Sequence, residues 1–322
     1  MLNYFIKKLL SGILLVIGVS VVTFYILRLG PGNPAAAAFD PNSTRHDVSQ
    51  VNHLYGLDKP LLAQFGEWMK NIFRGHWGYS YASHRKVAEI IRETLPNTLI
   101  LTASVLFVQV VFGTWLGLVQ VSKTNSLFDK SINWLTLALY GLPVFWLALV
   151  FILIFSHKLG WLPSSQIVSF YYKDLSWLGR IMDRLRHLAL PLLSMSLVSI
   201  AVMARYVKAS LKEIMQQDFI VAARARGLSE RRILYKHALR NVLIPVATLT
   251  GQYFPALVGS SVVIELVYSW PGMGRLIVLS TFARDYPVII ACTFVMSVFV
   301  VMGNLFADFL VACIDPRIRL EA

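Results

Sequence analysis

The densest recognition chemistry in this chain lies in Gln217-Asp218-Phe219-Ile220-Val221-Ala222-Ala223-Arg224-Ala225-Arg226-Gly227-Leu228-Ser229-Glu230-Arg231-Arg232. These residue types suit contact rather than bond-making. Asp218 can cap a short helix, and Ala222, Ala223 and Ala225 keep its surface small. Gly227 can take the left-handed conformation that ends such a helix. Ser229 then caps a second short helix, with Glu230 favourable in its first turn. Small residues flanked by Arg224 and Arg226 let a partner's backbone come close, so the segment reads as a knob for a groove on a soluble subunit. It also reads as a basic loop held against anionic lipid. A DNA-binding helix pair is excluded, because the stretch between two apolar runs is too short for its core.

A second group of polar residues, Thr248, Gln252 and Gly259, falls at spacings of 4 and 7 on one helical face, with Ser260 and Ser261 beside it. Such a strip is either glue between helices or the water-facing wall of a conduit. Ionisable residues inside apolar runs are candidates by default, but here they are few: Asp308 within a run, Glu265 and Arg28 at edges. The chain has no Gly-x4-Gly-Lys-[Ser/Thr] loop, no His-Glu-x-x-His and no Gly-x-Ser-x-Gly. Its seven histidines are scattered, without metal-ligand spacing. The expectation is a non-enzyme without cofactor or metal, whose energy comes from elsewhere.

Composition supplies the setting. Of 322 residues 56% are apolar and 15% charged, and mean hydropathy is +0.61; soluble domains carry roughly 25% charge. Six apolar runs are long enough for a bilayer of about 20 helical residues: 9–29, 97–121, 132–156, 187–207, 241–264 and 287–314. The first follows Lys7 and Lys8 and precedes four alanines at 35–38, but it outruns a signal-peptide core and is read as an uncleaved anchor. Cys292 and Cys313 share one run, too far apart in a helix to pair. Net charge is +13, and 208–240 holds eight Lys and Arg against three acidic residues. By the positive-inside rule this places both termini in the cytoplasm, although five basic residues in 157–186 run against it.

The expected fold is therefore all-α and polytopic, with six transmembrane helices. The expected divisions are 1–29, an external helical region 30–96, and a core 97–322 with the cytoplasmic loop 208–240. Within 30–96, Val48, Val51 and Leu54 form one stripe, and Asp58 and Pro60 suit a helix start. Leu61, Phe65, Trp68, Met69 and Ile72 form a second stripe ending at Gly75, and Val87, Ile90, Ile91 and Leu95 a third. This layer is a structural cap, a docking surface, or both.

Residues 218–227, Asp-Phe-Ile-Val-Ala-Ala-Arg-Ala-Arg-Gly, resemble the coupling loop of bacterial ABC importer permeases, specifically the first permease subunit of the dipeptide/oligopeptide/nickel family. Further motifs occur in family order: Pro31-Gly32-Asn33-Pro34, Gly56-Leu57-Asp58-Lys59-Pro60, Gly75-His76-Trp77-Gly78-Tyr79-Ser80, Leu95-Pro96-Asn97-Thr98-Leu99 and Leu142-Pro143-Val144-Phe145-Trp146. Trp270-Pro271-Gly272-Met273-Gly274-Arg275, Arg284-Asp285-Tyr286-Pro287, Asn304-Leu305 with Asp308, and Asp315-Pro316-Arg317-Ile318-Arg319 complete the series. Val221 departs from the general motif, which has Glu there, and Lys208 stands where the family often has Arg.

The resemblance implies a type I ABC importer permease fold in a bacterial inner membrane, forming half a channel with a homologous second permease. Two cytoplasmic ATPases would bind and hydrolyse ATP and engage Asp218, Ala222, Ala223, Arg224, Ala225, Arg226, Gly227 and Ser229. An extracytoplasmic solute-binding protein would deliver peptides, and nucleic acid would play no part. Thr248, Gln252, Gly259, Ser260 and Ser261 are candidates for the path. Trp270, Pro271, Gly272, Gly274, Arg284 and Asp285 are candidates for an external gate or docking site. Nickel or another small solute is the alternative cargo, and an ion-coupled carrier the alternative mechanism.

Overall fold

The computed structural model describes residues 2–29 and 59–314. The expectations for Val48, Val51, Leu54 and Asp58, and the motifs at 31–34, 56–58 and 315–319, lie outside these residues. The described chain is helical, and its strand-like pairing is a single bridge between Tyr79 and Lys86. Its helices are α1 (Leu2–Leu29), α2 (Leu61–Phe73), α3 (Val87–Ser122), α4 (Leu127–Gly141), α5 (Val144–Phe151), α6 (Trp177–Ile214), α7 (Asp218–Ala225), α8 (Leu239–Val267), α9 (Met273–Phe282) and α10 (Tyr286–Ile314). Four helices are long and apolar enough to cross a membrane, and two bent pairs bring the number to as many as six. Large apolar side chains stand bare along them, for example Leu14 at 76% exposure and Leu29 at 72%. Such surface is stable facing lipid rather than water.

The third apolar run is not one straight span. It breaks into α4 and α5, which meet at 102°. Pro143 lacks an N–H and disfavours helical backbone at the residue before it. Leu142 is accordingly extended, at φ −88° and ψ 132°. Beyond the break α5 widens into a π-helix over Ile152–Lys158. The fourth span is longer than its apolar stretch, because α6 continues through Trp177–Arg186 at one end and to Ile214 at the other. Asp183 on its early turns straps the preceding loop, accepting from the Ser169 N–H at 2.9 Å and hydroxyl at 2.5 Å.

The chain packs as two compact units. Among the described residues, one comprises 99–270 with 303–314; the other comprises 2–29, 59–98 and 271–302. In the first, α3 and α6 approach closely at Gly113 and Gly117. A Cβ on Gly117 would stand 2.8 Å from the Ala204 carbonyl oxygen, and one on Gly113 2.6 Å from the Met203 Cβ. Small residues four apart permit this backbone-to-backbone packing inside a membrane. One core cluster centres on Leu101, Leu190, Tyr268 and Trp270. In the second unit the second and third expected stripes are packing faces. Phe65 lies 5.4 Å from Phe24 between ring centres, Trp68 meets Phe294 edge-on, and Val87, Ile90 and Ile91 are buried with Val288 and Cys292. α2 begins after Pro60 and ends at Phe73 with Arg74 as its C-cap, and Gly75 is left-handed at φ 79°. The third stripe opens α3 and is not a separate helix.

Candidate functional site

The knob is the short helix α7, set between α6 and the approach to α8. Gln217, extended at φ −75° and ψ 152°, holds the N-cap position, so Asp218 is the first helical residue and makes no capping bond. Its carboxylate acts only as charge at the positive end of the helix. Gly227, at φ 78°, turns the chain as expected. Ser229 occupies the next N-cap position without a side-chain cap bond. The second limb is not a free-standing helix: the turn Glu230–Arg232 runs through a π-helix, Ile233–Ala238, into α8.

α7 has two distinct faces. Ile220 and Ala223 are 0% and 1% exposed, packed with Met203, Val207 and Leu211 of α6 and with Ile233, Leu234, Ala238 and Val242. Ala223 is therefore an anchor and not part of an open surface. The outward face carries Ala222, Arg224, Ala225 and Arg226. It also presents Phe219 and Val221, 40% and 54% exposed, which the emphasis on small and basic residues missed. Arg224 grips Glu230 through Nε at 2.6 Å and Nη2 at 3.2 Å, closing the turn at Gly227. The hydrogen bond from Arg224 to Glu230 pushes the guanidinium above its ordinary value. An exposed pair of this kind adds little stability; it fixes the attitude of the two limbs. Beside it lies a cleft of about 510 Å³ lined by Val121, Ser122, Met215, Glu230, Arg231, Leu234 and Tyr235.

Behind the knob sits an ion pair that sequence reasoning did not find. Lys208 Nζ lies 2.6 Å from Asp129 Oδ1, with the two side chains 13% and 9% exposed. Ser126 caps α4 by accepting from the Asp129 N–H at 3.1 Å. The Ser-x-x-Asp spacing was the available signal for that cap. The pair ties α4 to α6 one turn from the buried Leu211.

The proposed path residues do not share one environment. Thr248 and Gly259 are exposed, whereas Ser260 is half-buried and Ser261 is fully buried. The Ser261 hydroxyl donates to the Val258 carbonyl at 2.8 Å, which leaves it facing the packed side of α8. The side chain of Gln252 lies outside the described residues. Of the proposed gate or docking residues, Trp270, Gly272, Gly274 and Asp285 are buried and Pro271 is half-buried; Arg284 is exposed, at φ 54°. Asp285 organises the loop after Gly78: it accepts from the Ser80 hydroxyl, from the Tyr81 N–H at 3.0 Å and from the Ala82 N–H at 3.4 Å. Two motifs distant in sequence meet where Asn97 donates to the Pro271 carbonyl at 2.8 Å and the Met273 N–H donates to Thr98 Oγ1 at 2.8 Å. Among the described residues no group of three or more His, Cys, Asp or Glu could hold a metal ion.

Bare apolar helices joined to an anchored knob define a polytopic membrane protein. The same fold occurs in a solved structure described as inward-facing conformations of the MetNI methionine ABC transporter. The match has a TM-score of 0.58 at 16% identity and covers 71% of this chain and 97% of that one. Residues 109–320 match the binding-protein-dependent transport system inner membrane component family, and residues 1–102 match the N-terminal membrane component of such systems. The chain belongs to this family, which consists of membrane permeases rather than enzymes. It is 36% identical over 320 residues to the oligopeptide transport system permease protein AppB of Bacillus subtilis, covering 99% of this chain and 100% of that protein. It is 34% identical over 332 residues to the dipeptide transport system permease protein DppB of Alkalihalophilus pseudofirmus, with 99% and 100% covered.

Proposed function

We propose that this chain forms half of the translocation channel of an ATP-driven peptide importer in a bacterial inner membrane. The other half is a homologous permease, two cytoplasmic ATPases supply the work, and an extracytoplasmic binding protein delivers the peptide. The observation that carries the reading is the two-faced α7. Phe219, Val221 and Arg224 are open for contact, while Ile220 and Ala223 are sealed into the bundle. Motion imposed on the outer face passes through a packed inner face to α6 and α8, as interfaces in close-packed protein transmit displacement. Full-length similarity to oligopeptide and dipeptide permeases supports peptides as the cargo. The excess of basic residues at 208–240 supports a cytoplasmic knob and cytoplasmic termini. The chain itself needs no bound cofactor, since ATP is held by its partners.

The deciding experiment is peptide uptake into proteoliposomes carrying the chain with its co-purifying subunits. Uptake should stop on ATP depletion and survive an uncoupler. Uptake that collapses with the uncoupler and survives ATP depletion would overturn the proposal in favour of an ion-coupled carrier.

A further inference from the structure

A cavity of about 160 Å³ opens within the second unit, bounded by the last turns of α1, by α2, by the 76–81 loop and by the start of α10. Its walls are largely aromatic, with Phe24, Trp68, Trp77, Tyr81 and Tyr286 among them, and Arg28 enters from the end of α1. Among the described residues no acidic side chain lines it. The Arg28 guanidinium lies over the Phe24 ring, 5.4 Å from its centre. Its Nε is sealed from solvent and has no hydrogen-bond partner among the described residues. Leaving a desolvated donor unpaired is unfavourable, above all on a charged group. Asp285 does not supply the acceptor, because its oxygens are committed to Ser80, Tyr81 and Ala82 and it does not line the cavity.

An oxygen anion would pair this donor and its charge, and the cavity of about 160 Å³ is far larger than the roughly 15 Å³ that one water requires. A guanidinium fork matches the oxygens of phosphate. The elements that form the cavity also carry bare hydrocarbon: Ile26 and Leu29 on α1 are 65% and 72% exposed, and Leu62 and Phe73 on α2 are 74% and 79% exposed. Aromatic side chains with an arginine at the end of a span are the composition of a membrane–water boundary. We propose that this cavity holds the headgroup phosphate of a membrane phospholipid, with Arg28 as its anchor and the acyl chains along α1 and α2. The inference rests on the membrane-embedded reading of the chain and is independent of cargo and of ATP.

The test is lipid binding to the full-length protein, purified in detergent with its co-purifying subunits and titrated with short-chain phosphatidylglycerol under native mass spectrometry. Arg28→Gln should weaken binding by about 10- to 100-fold, the range expected for loss of one charge-assisted hydrogen bond. Arg28→Lys keeps the charge without the planar fork, guards against a folding artefact in the first variant, and should lose about three- to tenfold. Binding within about twofold of the parent in both folded variants would overturn the proposal. So would displacement of the lipid by an equal concentration of inorganic phosphate, which would mark a site for free anions. Lipid binding is read without ATP or peptide, so a failure of uptake leaves this result standing.

Discussion

Replacing Ile220 by alanine removes the side chain that seats α7 in the bundle, without touching the surface turned away from it. Ile220 is 0% exposed and packs in a cluster with Met203, Val207 and Leu211. Truncating a fully buried isoleucine costs about 2–5 kcal/mol. At a factor of ten per 1.4 kcal/mol, that loosens the seat by roughly 30-fold to a few thousand-fold. Phe219 is the control: 40% exposed on the flank of α7, its truncation should cost the fold far less than that of Ile220, within about 1 kcal/mol, while removing an aromatic contact of the kind that dominates interfaces. The assay is reconstitution with the ATPase subunits, reading their co-purification and peptide uptake side by side. Ile220→Ala should keep the ATPases bound to within about threefold and lose uptake by at least about tenfold. Phe219→Ala should lose the ATPases themselves at an unchanged melting temperature. If the two variants behave alike, or Ile220→Ala transports at the parental rate, then α7 does not transmit force through its buried face.

Lys208→Ala leaves Asp129 buried without its cation and should cost about 3–5 kcal/mol, seen as a lower thermal midpoint in detergent; an unchanged midpoint would show that the pair is solvated. The double variant Lys208→Met/Asp129→Leu should recover most of that loss, because apolar replacement of both members is often neutral. Gly227→Ala places a Cβ at φ 78° and should destabilise the turn by about 1–2 kcal/mol, with Gly227→Asn milder; equal uptake by all three proteins would argue against a rigid turn. Asp285→Ala frees the Ser80, Tyr81 and Ala82 donors and should open the loop after Gly78 to protease, with unaltered cleavage refuting its role as organiser.

Features encoded locally were legible in the sequence. The apolar runs, the Gly75 and Gly227 stops and the Phe65–Trp68–Ile72 stripe each rest on spacing within one helix. The break at Pro143 was locally encoded too, but it was hidden by run length: residues 132–156 are apolar enough to pass for one span although a proline stands in their middle. Which side of α7 is buried was not legible, because an eight-residue helix rich in alanine, valine and isoleucine offers little amphipathic contrast. The Lys208–Asp129 pair and the Asp285 loop join residues 79 and up to 205 positions apart, beyond any periodicity. Asp285 was therefore grouped with Arg284 as a candidate for an external gate or docking site although it is a buried acceptor, and Ser261 was grouped with Thr248 although its hydroxyl turns toward its own helix.

The buried positions Leu234, Ala238, Val242 and Val246 recur every four residues. In an unbroken α-helix that spacing slips by about 40° at each step, since four residues turn through about 400°. The π-helical stretch Ile233–Ala238 winds more residues into each turn and takes up part of the slip. The knob and the long helix beyond it are thus keyed together like splines on a shaft. Deleting one residue at Leu243, in the regular α-helical part of α8, would turn everything upstream through about 100° against everything downstream, presenting the wrong side of α7 to the bundle. Insertions and deletions should therefore be far less tolerated between Leu239 and Val246 than substitutions at the exposed places there.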